Sequence, residues 1–226
     1  MRKFISLLVV LFLFGCSNIP SALVKPEIQS AYFSSVSIVN SEGRTVGSGT
    51  IILNESGHQM AVITAAHVVR AVQNPKDVED DFDKNVYIIT AYSKIKKKMK
   101  VHKINDDKDL ALLLGFSKEK SDGPSARLAS KRPKIGDKVI LIGAPMGARL
   151  TVTEGILSNF NNGGKVNLYR IDAAMFFGNS GGGTFNDRNE LIGVCNSISA
   201  VRIDFSVVFV PGAGFIVALD EVKNFI

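Results

Sequence analysis

Short runs rich in Val, Ile and Leu recur along most of this chain, with turn-forming residues between them, and that spacing constrains the fold more than any other feature. Residues 35–39, 49–53, 60–64, 86–91, 99–105 and 110–114 read as one series of strands. Residues 138–142, 151–158, 167–172, 183–186, 190–198 and 205–210 read as a second. Evenly spaced strands with few helical windows imply an all-β barrel or sandwich. The polar stretch 117–133 reads as a crossover between the two series, and residues 73–84, with five acidic residues and a proline, as a loop. Val68 onward can form one helical turn, and residues 219–226 a short closing helix.

Within this β pattern, Gly178-Asn179-Ser180-Gly181-Gly182 sets a serine hydroxyl among glycines. Glycine reaches positive φ without steric cost and lets a substrate approach closely. Such a turn can present Ser180 Oγ outward and aim backbone N–H groups at a carbonyl oxygen. A serine hydroxyl is a poor nucleophile at neutral pH and needs a base beside it. Thr64-Ala65-Ala66-His67 puts a histidine at the end of an apolar run, and imidazole, with an ordinary pKa of about 6.5, exchanges protons near neutrality. Asp107-Lys108-Asp109 ends in an aspartate directly before the next apolar run. Asp109 is suited to accept a hydrogen bond from the second ring nitrogen, with Asp106 and Asp107 as alternatives. His58 and His102 lack such a context and read as surface or hairpin residues. The competing reading makes His67 a satisfied core histidine and Ser180 the relic of a silent homologue.

The order His67, Asp109, Ser180 is that of the chymotrypsin-like version of the serine–histidine–aspartate template. Narrower motifs accompany it: Val46-Gly47-Ser48-Gly49-Thr50, the TAAHVV run, DLALL, Ile142-Gly143-Ala144-Pro145-Met146-Gly147, Thr153-Glu154-Gly155-Ile156-Leu157-Ser158 and Gly214-Phe215-Ile216-Val217-Ala218-Leu219. Together they resemble the HtrA/DegP-type trypsin-like serine proteases from about Val36 onward. The resemblance implies two six-stranded antiparallel β-barrels of the chymotrypsin/trypsin-like type with catalytic residues at their junction. It implies an oxyanion hole from the Gly178 and Ser180 N–H groups, and a primary pocket with Ala174 at its base. Asn196, Ser197 and Ile198 would form a wall that pairs with substrate backbone. With no acid at 174, small or medium apolar residues are expected before the scissile bond. Phe176 and Phe177 are bulkier than the family pattern and would narrow access, and Gly183 stands where a proline is common. A PDZ module often follows the protease domain in this family; the sequence stops after the second series, so PDZ-mediated substrate selection is not expected.

The implied activity is a serine endopeptidase cutting unfolded or exposed polypeptides through an acyl-enzyme. A catalytically silent binding or chaperone-like module on the same fold is the alternative, and esterase-like turnover a third. No Walker-type loop, paired-cysteine spacing or internal repeat is present, and no metal or cofactor is expected. The formal charge is +6, which loses two when Arg2 and Lys3 leave with a leader. Lys94-Ile95-Lys96-Lys97-Lys98-Met99-Lys100 is the dense basic run. It reads as a solvated hairpin or edge strand with protective lysines; no aromatic pattern accompanies it, and no nucleic-acid partner is expected.

Arg2 and Lys3 precede an apolar run over residues 4–14 that is too short to cross a bilayer comfortably and reads as a secretory signal. Leu13-Phe14-Gly15-Cys16 resembles a bacterial lipobox, although Phe14 is bulkier than usual there; an ordinary signal peptide with an incidental cysteine is the alternative. The expected plan is a signal peptide over 1–15, a tether over 16–30, an N-terminal barrel over 31–125 and a C-terminal barrel over 126–226. Lipidated Cys16 would hold the protein on a membrane of the bacterial cell envelope without spanning it. Ser17 in place of an aspartate points to the outer membrane where the host has two. With Cys16 acylated, Cys195 is the one thiol left, and no intramolecular disulfide can form. Cys195 lies in an apolar run and reads as a buried small hydrophobe. Polypeptides and the membrane are the expected partners, with oligomers allowed.

Overall fold

A computed structural model describes residues 21–54, 60–72, 86–115, 123–203 and 206–226. The leader, Cys16 and the acidic loop lie outside these residues. Six strands, β1 (Ser35–Val39), β2 (Thr45–Asn54), β3 (Met60–Thr64), β4 (Val86–Thr90), β5 (Lys96–Asn105) and β6 (Leu110–Gly115), close a first barrel in the order β1-β2-β3-β6-β5-β4. The chain then forms the two-residue β7 (Arg127–Leu128), β8 (Lys138–Gly143), β9 (Thr151–Asn161), β10 (Leu168–Ile171), β11 (Gly183–Phe185), β12 (Glu190–Ile203) and β13 (Ser206–Ala218). β11-β8-β9-β10-β13-β12 is a second six-stranded antiparallel barrel, closed by β11 against β12. β7 lies outside it, parallel to β12. Among the described residues three short α-helices complete the fold: α1 (Gln29–Phe33), α2 (Ala66–Val72) and α3 (Leu219–Phe225). None of the described helices is long and apolar enough to cross a membrane.

The two-residue side-chain period of each strand fills the barrels. On β4, Val86, Ile88 and Thr90 point inward while Tyr87 and Ile89 are half-buried. Val36, Ile38, Ile51, Met60, Val62, Met99 and Leu113 form the first core. Val139, Leu141, Leu157, Tyr169, Ile171, Ile192 and Ile216 form the second. A third cluster joins them: Ile63, Leu110 and Leu112 of the first barrel share a buried set with Ile142, Phe185, Val194 and Val217 of the second. Burying one such side chain is worth about 1.5–3 kcal/mol, so this seam fixes the barrels' relative placement and the cleft between them.

Residues 21–30, the described part of the expected tether, form two 3₁₀ turns, Ser21–Leu23 and Pro26–Ile28, that lead into α1, and Val24 is buried. Asn189, in the turn between β11 and β12, donates to Glu27 O at 2.6 Å and accepts from Ala31 N at 3.3 Å, which docks this segment on the second barrel. The lysine run follows the β4–β5 hairpin as a solvated strand: Lys96, Lys97 and Lys98 register against Ile89, Ile88 and Tyr87 of β4, Lys100 against Leu114 of β6, and Lys96, Lys98 and Lys100 are exposed. Lys96 Nζ donates to Ser41 O at 3.0 Å and sits 4.3 Å from the centre of the Tyr87 ring. The last strand runs on to Ala218 rather than ending at 210, because residues 214–217 pair with β10 and residues 214–218 with β12.

Candidate active site

β3 and β6 are antiparallel neighbours with Thr64 opposite Ala111, so the end of one meets the start of the other. That register sets His67, the second residue of α2, beside Asp109, the residue before β6. The Ala66 N–H donates to Asp109 O at 3.2 Å and ties the two turns together. Asp109 has φ of 52°, in the left-handed region that aspartate tolerates better than most side chains. Its carboxylate faces back over the helix start. Oδ1 accepts the His67 backbone N–H at 2.9 Å, and Oδ2 lies 2.7 Å from His67 Nδ1. A carboxylate only accepts, so Nδ1 carries the hydrogen and Nε2 keeps its lone pair in the neutral ring. The His67 side chain is 50% exposed and that of Asp109 20%. The other aspartates are engaged elsewhere, Asp106 with Arg70 at 3.0 Å and Asp107 with Lys165 at 3.3 Å.

Asn196 does something the sequence did not suggest. Expected as part of a pocket wall, it also donates from Nδ2 to Asp109 Oδ2 at 2.8 Å. The cause is a β-bulge: Cys195 pairs with Ile216 and Ser197 with Phe215, which leaves Asn196 as the extra residue. Bulges turn a side chain out of the regular alternation and are common beside active sites. Ser197 and Ile198 keep their places on β12, opposite Phe215 and Gly214. Among the described residues no strand pairs with residues 196–200 on the side away from β13. Ala174 is exposed, between buried Ala173 and Met175, and its carbonyl accepts from Thr153 Oγ1 at 3.0 Å.

The loop before β11 brings Ser180 to the same cleft. Its hydroxyl lies 3.5 Å from Asn196 O, and no hydrogen bond joins it to His67 among the described residues. Around it three backbone donors are used: Asn179 N reaches Phe176 O at 3.0 Å, Gly181 N reaches Cys195 O at 2.8 Å and Gly182 N reaches Asn179 O at 2.9 Å. The N–H groups of Gly178 and Ser180, like those of Phe176 and Phe177, have no acceptor among the described residues. Phe177 O is held by Met146 N at 2.6 Å. A trans peptide points its C=O and N–H in opposite directions, so this bond turns the Gly178 N–H away from the Pro145–Gly147 turn. Gly178 has φ of +96°, and a Cβ there would lie 2.3 Å from Ala144 O. Only glycine fits.

The mouth of the cleft is apolar. Phe177 is 65% exposed and Phe209, from the β12–β13 hairpin, 46%. Their rings meet edge to face at 5.0 Å. Cys195 is fully buried beside Thr184, and burial pushes its thiol up to about 12. It is no nucleophile in this state. No group of metal-ligating side chains occurs among the described residues.

Two closed six-stranded antiparallel barrels, with histidine and aspartate from one meeting a serine loop from the other, define a trypsin-like fold. Residues 47–194 match the trypsin-like peptidase domain family, and the chain belongs to it. It is also similar to a "Serine protease HtrA-like" of Staphylococcus aureus strain USA300, at 27% identity across 94% of this chain and 27% of that protein. The chain thus spans about a quarter of the length of the curated relatives it matches. Among solved structures, a serine endoprotease from Yersinia pestis shares 24% identity with a TM-score of 0.64, over 88% of this chain and 63% of that one. Rv3671c of M. tuberculosis, in an inactive mutant form, has a TM-score of 0.66 at 21% identity and covers 92% of both chains.

Proposed function

We propose that the chain is a serine endopeptidase in which His67 is the base, Asp109 its orienter and Ser180 the nucleophile. The observation that carries this reading is the pairing of the His67–Asp109–Asn196 ladder with a serine loop that keeps two N–H groups uncommitted. Rotation of Ser180 about χ1 is a small step between staggered positions, and catalytic hydrogen bonds of unliganded enzymes commonly tighten only when substrate binds. Ser180 Oγ then attacks the scissile carbonyl carbon as its proton passes to His67 Nε2. The Gly178 and Ser180 N–H groups receive the carbonyl oxygen as it becomes an oxyanion. Collapse expels the amine, which takes the proton from His67 and leaves an acyl-serine. Water, deprotonated by His67, attacks this ester, and His67 returns the proton to Ser180 Oγ as the carboxylic acid product leaves. Asp109 holds the ring in the tautomer each step needs and stabilises the imidazolium.

The substrates on this reading are unfolded or exposed polypeptides, with the open edge at 196–200 receiving backbone. Exposed Ala174 and the absence of an acid there fit a small or medium apolar side chain before the scissile bond. Location in the bacterial cell envelope, with acyl anchoring at Cys16, rests on the leader sequence alone. One observation favours the second reading, a silent binding module: Ser180 Oγ faces Asn196 O rather than His67.

A fluorophosphonate probe applied to the full chain and to Ser180→Ala separates the two. Labelling of the wild type and not of the variant is the expected result. An unlabelled wild type, or equal labelling of both, overturns the enzyme reading.

A further inference from the structure

Ser48, buried on β2 of the first barrel, makes four hydrogen bonds, three of them to the second barrel. Its Oγ donates to Gly178 O at 2.7 Å and accepts from Ala144 N at 2.8 Å. Its backbone N–H donates to Ser180 O at 2.9 Å, while its carbonyl accepts from Thr64 Oγ1 at 2.6 Å. We propose that Ser48 is a positioning residue for catalysis, which sets the peptide units that aim the Gly178 and Ser180 N–H groups. The inference rests on the serine peptidase reading above.

The geometry follows the order of peptide units. Gly178 N–H belongs to the 177–178 peptide and Ser180 N–H to the 179–180 peptide. The 178–179 peptide lies between them, and its carbonyl is the one that Ser48 Oγ holds. The 180–181 peptide follows, and its carbonyl takes the Ser48 N–H. Ser48 therefore grips both neighbours of the peptide that presents the Ser180 donor. Met146 N, on Phe177 O, grips the remaining one. A hydroxyl suits this place because one atom must both donate and accept. Flanking glycines bring the strand close: a Cβ on Gly47 would lie 3.2 Å from Ser180 O. Removing Oγ takes the Ser48 donor from the Gly178 carbonyl and the acceptor from Ala144 N, and leaves the 178–179 peptide held at its N–H end by the bond to Phe176 O. His67 and Asp109 make no bond to Ser48, so the base is untouched.

Full-length wild type, Ser48→Ala and Ser48→Cys are compared in peptide hydrolysis, fluorophosphonate labelling rate and affinity for a peptide boronate, a tetrahedral mimic that fills the oxyanion position. Misplaced catalytic groups cost up to about 100-fold. For Ser48→Ala the expected loss is about 10- to 100-fold in kcat, labelling rate and boronate affinity together. KM should change less than about threefold and the pH profile of kcat should keep its shape, a split that a general loosening of the fold does not produce. Ser48→Cys, with a weak donor and acceptor in place, should lie between. A folded Ser48→Ala with wild-type kcat and boronate affinity overturns the proposal, as does a loss confined to KM. If Ser48→Ala fails to fold, Ser48→Cys decides in the same way. A wild type that takes no label defeats the peptidase reading itself; a labelled wild type with an equally reactive Ser48→Ala defeats this inference alone.

Discussion

His67 and Ser180 are held by opposite means. His67 is half-exposed and fixed by side chains: Asp109 takes both its ring and its backbone N–H, and Asn196 steadies Asp109. Ser180 sits in a loop whose peptides are held from both barrels, by the Ser48 hydroxyl and N–H and by backbone groups of Met146, Cys195 and Asn179. On the proposed reading, the base thus depends on which side chains are present, and the oxyanion donors on which peptides are pinned. Substitutions should separate the two: on the side-chain half they cost rate without stability, and on the backbone half they cost both.

The largest effect is expected on the side-chain half. Asp109→Asn should lower kcat by about 10⁴-fold, because an amide donating to Nδ1 selects the wrong tautomer. Steady-state kinetics with a melting curve check this, and a fall in melting temperature as large as for a core substitution would break the contrast. Gly178→Ala comes next, with about 10²- to 10³-fold lost from kcat. It should also melt earlier, since the new Cβ would meet Ala144 O at 2.3 Å in a backbone with φ of +96°. Asn196→Ala should cost about 10- to 100-fold in kcat, the weight of one hydrogen bond to a charged group. A rise in KM alone would show that Asn196 acts only through the substrate wall and not through Asp109.

The smallest effect concerns a residue outside both halves. With its thiol raised from 9.0 to about 12 by burial, Cys195 should ignore a soluble disulfide reagent at pH 8 until the protein unfolds. Stopped-flow labelling with and without denaturant checks this. The unfolded chain releases that proton first, so the stability contributed is complete below about pH 9 and fades as pH rises towards 12.

Strand positions were legible because hydrophobic runs bounded by turn residues report burial directly, and most observed strands start or end within a few residues of the expected places. β13 was cut short because Pro211 and the glycines at 212 and 214 look like a stop. The strand tolerates them by bulging: Ile198 pairs with Gly214 while Ala200 pairs with Phe209. His67, Asp109 and Ser180 could be singled out because imidazole, carboxylate and a serine among glycines have distinctive chemistry and local context. Ser48 and the true direction of Asn196 were not legible. Ser48 reads as an ordinary strand serine until the second barrel supplies Gly178 O and Ala144 N, and the Asn196 bulge exists only in the pairing of β12 with β13.

By itself, then, the sequence determined the repertoire: an all-β chain, a family, and three candidate catalytic side chains in a telling order. Those are properties of residue type and short-range pattern, which one strand or turn carries alone. The tertiary structure decided which hydrogen-bonding groups stay uncommitted. Whether the N–H of Gly178 or Ser180 has an acceptor depends on every nearby carbonyl, and these come from β2, the Pro145–Gly147 turn and β12. No local stretch of sequence encodes that pairing, because it exists only once both barrels have closed and met.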